Sequence, residues 1–131
     1  MDEVLEFLKS AGTYFLATTD DDGQPRNRPF GTANVFEGKL YIQTGKSKDV
    51  SKQIQKNPKV EICACKGGNW LRLAGTLVRD DRREAKADML AHYPSLQKMY
   101  SADDDNTEVL YFTDATATFY SFSGAPKVVR F

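Results

Sequence analysis

The chain has 131 residues, of which 40% are hydrophobic and 27% are charged, and its 18 basic residues balance 18 acidic ones. This length fits one domain over residues 1–131 that holds a hydrophobic core without disulfides. The balanced charge argues against a nucleic-acid-binding protein and against a binder of anionic membranes, because both usually carry a strong basic excess.

The N-terminus and the apolar runs give an expectation for location. The chain opens with Met1-Asp2-Glu3, which is acidic where a secretory signal peptide would be basic. No apolar run approaches the roughly 18 residues that a membrane-spanning helix needs. We therefore expect a cytoplasmic protein without a signal peptide or a membrane segment.

The first half of the chain predicts one helix followed by three strands. Val4, Leu8 and Ala11 share a face, which indicates a helix over residues 2–11. Residues that favour β structure predict strands over 13–19, 26–36 and 39–44. Turns are expected at 20–23 and at Glu37-Gly38, so these strands follow one another as hairpins.

The second half predicts two helices and the remaining strands. A helix begins at about Lys48 and ends at Asn57-Pro58, because the residue before a proline avoids helical geometry. Asp81 and Glu84 have the spacing of a capping box, which predicts a helix running to about Tyr93. Residues 94–107 are interpreted as a polar connection. Strands are predicted over 60–65, 70–79, 108–113 and 116–122, with a short last strand over 128–131.

This order of elements favours a mainly β (α+β) fold. The prediction contains about seven strands and three helices, and the strands come in hairpin succession rather than in β-α-β alternation. An antiparallel barrel flanked by helices is therefore favoured over a doubly wound parallel sheet.

The two cysteines, Cys63 and Cys65, fall in one predicted strand, where residues two apart point to the same side. Their Cα atoms would lie about 6.6 Å apart, near the upper limit for a disulfide. A metal site is poorly supplied, because no second cysteine pair occurs and His92 is the only histidine. We predict two buried structural thiols and no metal.

The segment from Arg26 to Lys48 is the strongest candidate for a binding site. Arg26 and Arg28 stand two apart on one strand and project from the same face. The run Thr44-Gly45-Lys46-Ser47-Lys48 lies where a strand passes into a helix, and a helix start offers unpaired N–H groups. Ser47 can donate a hydrogen bond from its hydroxyl, and Lys46 or Lys48 can supply a positive charge. Arg28 can add a two-pronged contact, so that these groups together would hold a phosphate.

The same residues also fit an interpretation without a ligand. Lys48, Lys52 and Lys56 have the spacing of an ordinary solvated helix face, and Ser47 fits a helix N-cap. Trp70 follows a glycine-rich loop, and its ring fits either stacking on a ligand or core packing. No nucleophile elbow, Walker loop or dinucleotide-binding glycine pattern occurs, so no catalytic residue is assigned.

Several ordered segments resemble the FMN-binding split barrels related to pyridoxamine 5'-phosphate oxidase. They are residues 23–30, 38–44, 48–60 and 70–75. The resemblance implies a six-stranded split barrel that forms a homodimer, with FMN in two clefts at the dimer interface. The resemblance assigns Arg28 and Lys48 to the FMN phosphate, Pro29 and Phe30 to the side of the flavin, and Gln43 and Thr44 to the ring and its tail. Our hypothesis adds Ser47 at the phosphate and Trp70 near the ring, where the oxidases carry a polar flavin contact.

Two departures from the oxidases argue against oxidation of pyridoxamine phosphate itself. Ala33 stands where the oxidases carry a lysine, and no C-terminal region supplies the arginine and histidine that hold the vitamin phosphate. The hypothesis is therefore an FMN-dependent oxidoreductase acting on an unassigned small molecule. The alternatives are a non-enzymatic module of the same fold that binds flavin or haem, and a dimeric barrel without a cofactor.

Overall fold

A computed structural model describes all residues from Met1 to Phe131 and places every strand in one antiparallel sheet. Three α-helices and one 3₁₀ helix accompany the eight strands. In chain order the elements are α1 (Asp2–Ala11), β1 (Tyr14–Thr19), β2 (Pro25–Phe30), β3 (Asn34–Phe36), β4 (Lys39–Gly45), α2 (Asp49–Lys56), β5 (Lys59–Lys66), β6 (Asn69–Asp80), α3 (Arg83–His92), the 3₁₀ helix (Pro94–Lys98), β7 (Thr107–Ser121) and β8 (Lys127–Arg130). No helix is both long and apolar enough to cross a membrane.

The strand order is β2-β1-β5-β6-β7-β4-β3, with β8 added to β7, and the two end strands do not pair with each other. The expected mainly β, antiparallel fold is confirmed, although the sheet is not closed. It has eight strands rather than six, because the short strands β3 and β8 pair with β4 and β7.

The strand register gives the sheet an inner and an outer face. Leu16, Ile62 and Leu73 are cross-strand neighbours and are fully buried on the inner face. Together with Val4 and Leu8 of α1 they belong to a core of 19 buried residues. Adjacent positions on the same strands face outward, because side chains alternate along a strand.

The predicted strand over 26–36 is divided, because residues 31–33 leave the sheet. Hydroxyl groups bind their backbone instead of a neighbouring strand. The Tyr14 hydroxyl donates to the Thr32 carbonyl at 2.6 Å, and the Tyr93 hydroxyl donates to the Ala33 carbonyl at 2.9 Å. The turn at Glu37-Gly38 is confirmed, since Phe36 pairs with Lys39 and both turn residues have positive φ.

Two further predictions differ from the structure. The strands predicted over 108–113 and 116–122 form the single strand β7. A β-bulge near Asp114 (φ 49°) shifts the register opposite Gly75, and pairing with β6 continues on both sides of it. The capping box is wrong, since helix α3 has Arg82 as its N-cap and no side-chain cap. The carboxylate of Asp80 instead accepts a hydrogen bond from the Arg82 backbone N–H at 3.1 Å.

The prediction that both cysteines are buried is wrong. Cys63 is half-buried and Cys65 is exposed, and neither forms a disulfide. Both lie on the outer face of β5, because Cys63 pairs with Arg72 and Phe15, which also face outward. Partial burial raises the pKa of the Cys63 thiol, and the neighbouring Cys65 raises it further.

Candidate functional site

A cleft of about 460 Å³ opens beside the ends of β2 and β4 and the start of α2. This volume lies in the usual range for small-molecule sites, roughly 300–1,000 Å³. Most of the residues singled out from the sequence line it, namely Arg28, Pro29, Phe30, Gln43, Thr44 and Lys48.

One end of the cleft is cationic, and Arg28 is held there in a fixed orientation. Its Nη1 donates to the Thr18 hydroxyl at 2.7 Å and to the Leu16 carbonyl at 3.2 Å, and its Nη2 donates to Gln53 Oε1 at 2.6 Å. Thr18 also donates to Gln53 at 2.6 Å, which ties the two acceptors together. The Nε–H and the second Nη2–H therefore make no hydrogen bond within the chain, and they form one edge of the guanidinium.

No carboxylate forms an ion pair with Arg28, although Asp49 lies nearby. Partial burial lowers the pKa of the Arg28 guanidinium, and the Asp49 carboxylate opposes this shift. By contrast, the adjacent Arg26 is paired with Asp20 at 2.9 Å. An arginine that is half-buried, oriented and without a counter-ion is suited to bind an anion from solution.

The start of helix α2 adds to the positive end of the cleft. Lys48 is the N-cap residue and lines the cleft without forming an ion pair. No side chain caps the helix, and the N–H groups of Asp49 and Val50 make no hydrogen bond within the chain. These groups and the helix dipole attract an anion to the same end.

The floor of the cleft is polar, and hydrogen bonds within the chain hold Gln43 in place. Gln43 and Thr44 lie at the end of β4 and are almost fully buried. The Gln43 side-chain amide donates to the Thr44 carbonyl at 3.0 Å, and the Gln43 backbone N–H donates to the Thr32 hydroxyl at 3.0 Å. The Thr44 hydroxyl makes no hydrogen bond within the chain, so it is free to contact a ligand.

The second wall of the cleft comes from the segment that the sequence indicated to be a polar connection. This second wall consists of Tyr93, Ser95, Leu96, Met99 and Tyr100, in and around the 3₁₀ helix. Tyr93, Leu96 and Met99 recur every three residues. This spacing is typical of one face of a helix, so it could have predicted a helical segment here.

Two contacts hold the second wall over the cleft. The Tyr93 hydroxyl accepts from the Ala33 N–H at 3.0 Å and donates to the Ala33 carbonyl at 2.9 Å. Tyr100 packs against Gly45, where a Cβ atom would lie 3.1 Å from the tyrosine oxygen. Met99 is 72% exposed, so an apolar side chain stands at the mouth of the cleft.

Ser47 and Trp70 lie outside this cleft. Ser47 is exposed, and its backbone N–H donates to Asn106 Oδ1 at 3.1 Å. Trp70 lies at the start of β6, where its ring stacks on Tyr120 with 5.1 Å between centroids and a 9° interplanar angle. Since Trp70 pairs with Cys65 and lies two residues before Arg72, its side chain belongs to the outer face of the sheet.

Comparison with known proteins relates the chain to one family. A family model described as pyridoxamine 5'-phosphate oxidase matches residues 1–120. The chain is also similar to a NimC/NimA family protein from Clostridium acetobutylicum of known structure, with 46% identity and a TM-score of 0.96. That alignment covers 100% of this chain and 92% of the other. No protein of curated function matches the chain in sequence.

Two more distant structures share the fold alone. One is a pyridoxamine 5'-phosphate oxidase-related, FMN-binding protein from Nostoc punctiforme, with 17% identity and a TM-score of 0.66 over 99% of this chain and 93% of the other. The other is a haem-binding protein from Mycobacterium smegmatis, with 15% identity and a TM-score of 0.72 over 94% of this chain and 57% of the other.

Proposed function

Because the chain belongs to the pyridoxamine 5'-phosphate oxidase family, we propose that it binds FMN in the cleft beside Arg28 and acts as an oxidoreductase on a small molecule. The observation that carries this proposal is that two cationic side chains, Arg28 and Lys48, lie together at one end of the cleft and form no ion pair. The other residues that line the cleft are uncharged. The cationic end fits a phosphate group, and the remainder fits a planar ring with a few polar edges.

The residues of the cleft fit the parts of FMN in order. The free edge of the Arg28 guanidinium and the Lys48 ammonium would hold the phosphate, with the N–H groups at the start of α2 beside them. Gln43 and Thr44 would meet the polar parts of the ring and its tail. Pro29, Phe30 and the second wall would exclude water. When bound, FMN supplies electron transfer, while the protein provides orientation and a dry site.

We propose that the chain works as a homodimer that uses the outer face of the sheet. This face exposes apolar side chains, including Phe15 at 48% and Val128 at 46%. Pro29 pairs with Phe15 and also lines the cleft, so the outer face continues to the mouth of the cleft. A second copy placed there would cover the mouth of the cleft, and we propose that its Trp70, which also lies on the outer face, would pack near the flavin ring.

The first experiment is a visible absorption spectrum of the purified protein, recorded before and after FMN is added and the sample is desalted. Oxidised-flavin bands at about one flavin per chain are expected. A folded sample that retains no flavin after excess FMN would contradict the proposal. Addition of haemin to the same sample tests the haem-binding alternative, and turnover of NAD(P)H with an electron acceptor separates an enzyme from a binding module.

A further inference from the structure

An ion pair between a fully buried carboxylate and a half-buried arginine lies beneath helix α2, outside the cleft. Glu108 at the start of β7 is fully buried, and its Oε2 accepts from Arg79 Nε and from Gln55 Nε2 at 3.4 Å. The other carboxylate oxygen, Oε1, is buried without any hydrogen-bond partner. Such a pair contributes little to stability compared with apolar side chains of the same size, because removing the Glu108 carboxylate fully and the Arg79 guanidinium partly from water is costly.

The pair connects α2 to two central strands. Arg79 lies on β6, and its Nη2 donates to the Ser51 hydroxyl at 3.5 Å. Ser51 and Gln55 stand four residues apart on α2, so they lie on one face of the helix. The Glu108–Arg79 pair therefore holds this face of α2 against β6 and β7.

Gln53 holds a different side of α2. It accepts hydrogen bonds from Thr18 and Arg28, both at 2.6 Å. The same helix starts at Lys48, which lines the cationic end of the cleft. A displacement of α2 would consequently move Lys48 and change how Gln53 orients the free edge of Arg28.

We propose that Glu108 and Arg79 are positioning residues that fix α2 and thereby set the geometry of the phosphate end of the cleft. The inference rests on the proposed FMN-binding function. Neither residue lines the cleft. Glu108 is the cross-strand partner of Thr44 in the floor of the cleft, whereas the contacts with Ser51 and Gln55 connect the pair to α2 and so to the phosphate end. Because a two-pronged phosphate contact depends strongly on geometry, loss of the pair weakens phosphate recognition and leaves contacts with the flavin ring intact.

The test compares FMN with riboflavin, which has the same ring and chain but no phosphate. The main variant combines Glu108→Met with Arg79→Met, since apolar replacement of a buried pair usually preserves the fold. We expect an unchanged or higher Tm, FMN affinity lowered by about fivefold or more, and riboflavin affinity within about twofold. Glu108→Gln alone should also lower the ratio of FMN affinity to riboflavin affinity. The exposed pair of Arg83 and Asp103, replaced in the same way, serves as the control.

Several outcomes would overturn the inference. One is an unchanged ratio of FMN to riboflavin affinity in a folded double variant. Another is failure of both Glu108 variants to fold, because the pair would then be required for the fold itself. If the wild-type chain binds FMN no better than riboflavin, the proposed phosphate site is wrong, and this result is distinct because it appears before any substitution is made.

Discussion

Replacement of Arg28 by alanine is expected to weaken FMN binding by about 30- to 700-fold. Three of the five guanidinium N–H groups are used by Leu16, Thr18 and Gln53, which leaves two for a phosphate. A hydrogen bond to a charged group contributes about 1.5–3 kcal/mol. Allowing for the partial exposure of the site, the two bonds together amount to about 2–4 kcal/mol, at about 1.4 kcal/mol for each tenfold change.

The assay is isothermal titration calorimetry of wild-type and variant protein with FMN and with riboflavin. Riboflavin affinity should change by less than about threefold, because the lost contact is to the phosphate alone. Arg26→Ala is the matched control, since it removes the same charge from the same strand face but its guanidinium is already paired with Asp20. Arg28→Lys keeps the charge without the planar fork and should fall between wild type and alanine.

An FMN affinity within about threefold of wild type in a folded Arg28→Ala protein would refute the reasoning, since the expected loss is about 30-fold or more. Equal losses for FMN and riboflavin would refute it as well. That result would mean that Arg28 supports the cleft through Thr18 and Gln53 rather than holding the phosphate.

Three further predictions concern the dimer, the sheet and acid stability. Phe15→Arg should give a monomer by sedimentation velocity and weaken FMN binding; a dimer that persists would exclude this face. Gly75→Ala places a Cβ 3.0 Å from the Phe112 ring and should lower the free energy of unfolding, measured by urea denaturation, by about 1–3 kcal/mol. Gly124→Ala should not lower it, because the nearest atom to its Cβ is Ser121 Oγ at 3.6 Å. A hydrogen bond from Arg82 lowers the pKa of the Asp80 carboxyl to about 2, below its unfolded value of about 3.9. Asp80 therefore contributes about 1–2 kcal/mol that is present above about pH 4 and is lost as the pH falls toward 2, and pH-dependent melting of Asp80→Asn should lack this loss.

The sequence predicts the side of the cleft that is built from regular elements. Strand alternation places Arg26 and Arg28 on one face of β2, and the breaks around Gly45 and Asn57 mark the limits of α2. These signals are local, since a few neighbouring residues determine each of them. The hairpin at Glu37-Gly38 is predictable for the same reason.

The other side of the cleft depends on contacts between distant residues. Tyr93 bonds to the backbone of Ala33, and Tyr100 packs on Gly45. The residues around Ala33 and Gly45 show no hydrophobic pattern that would indicate either contact. Cys65 is exposed because it lies on the outer face of β5. The apolar residues of β5 alone do not determine which of its two faces is the outer one. Trp70 lies beyond the cleft of its own chain for a similar reason, because the register of β6 decides its side.

The position of β7 in the sheet has a consequence for biosynthesis. Strand β4, which carries Gln43 and Thr44, has only β3 and β7 as neighbours, and β7 is made after α2, β5, β6 and α3. On the ribosome, one edge of β4 therefore stays without a partner until β7 has emerged. An unpaired edge of this kind is prone to pair with other chains. The floor of the cleft is accordingly complete only after β7 has been synthesised, and until then the open edge of β4 is exposed to other chains.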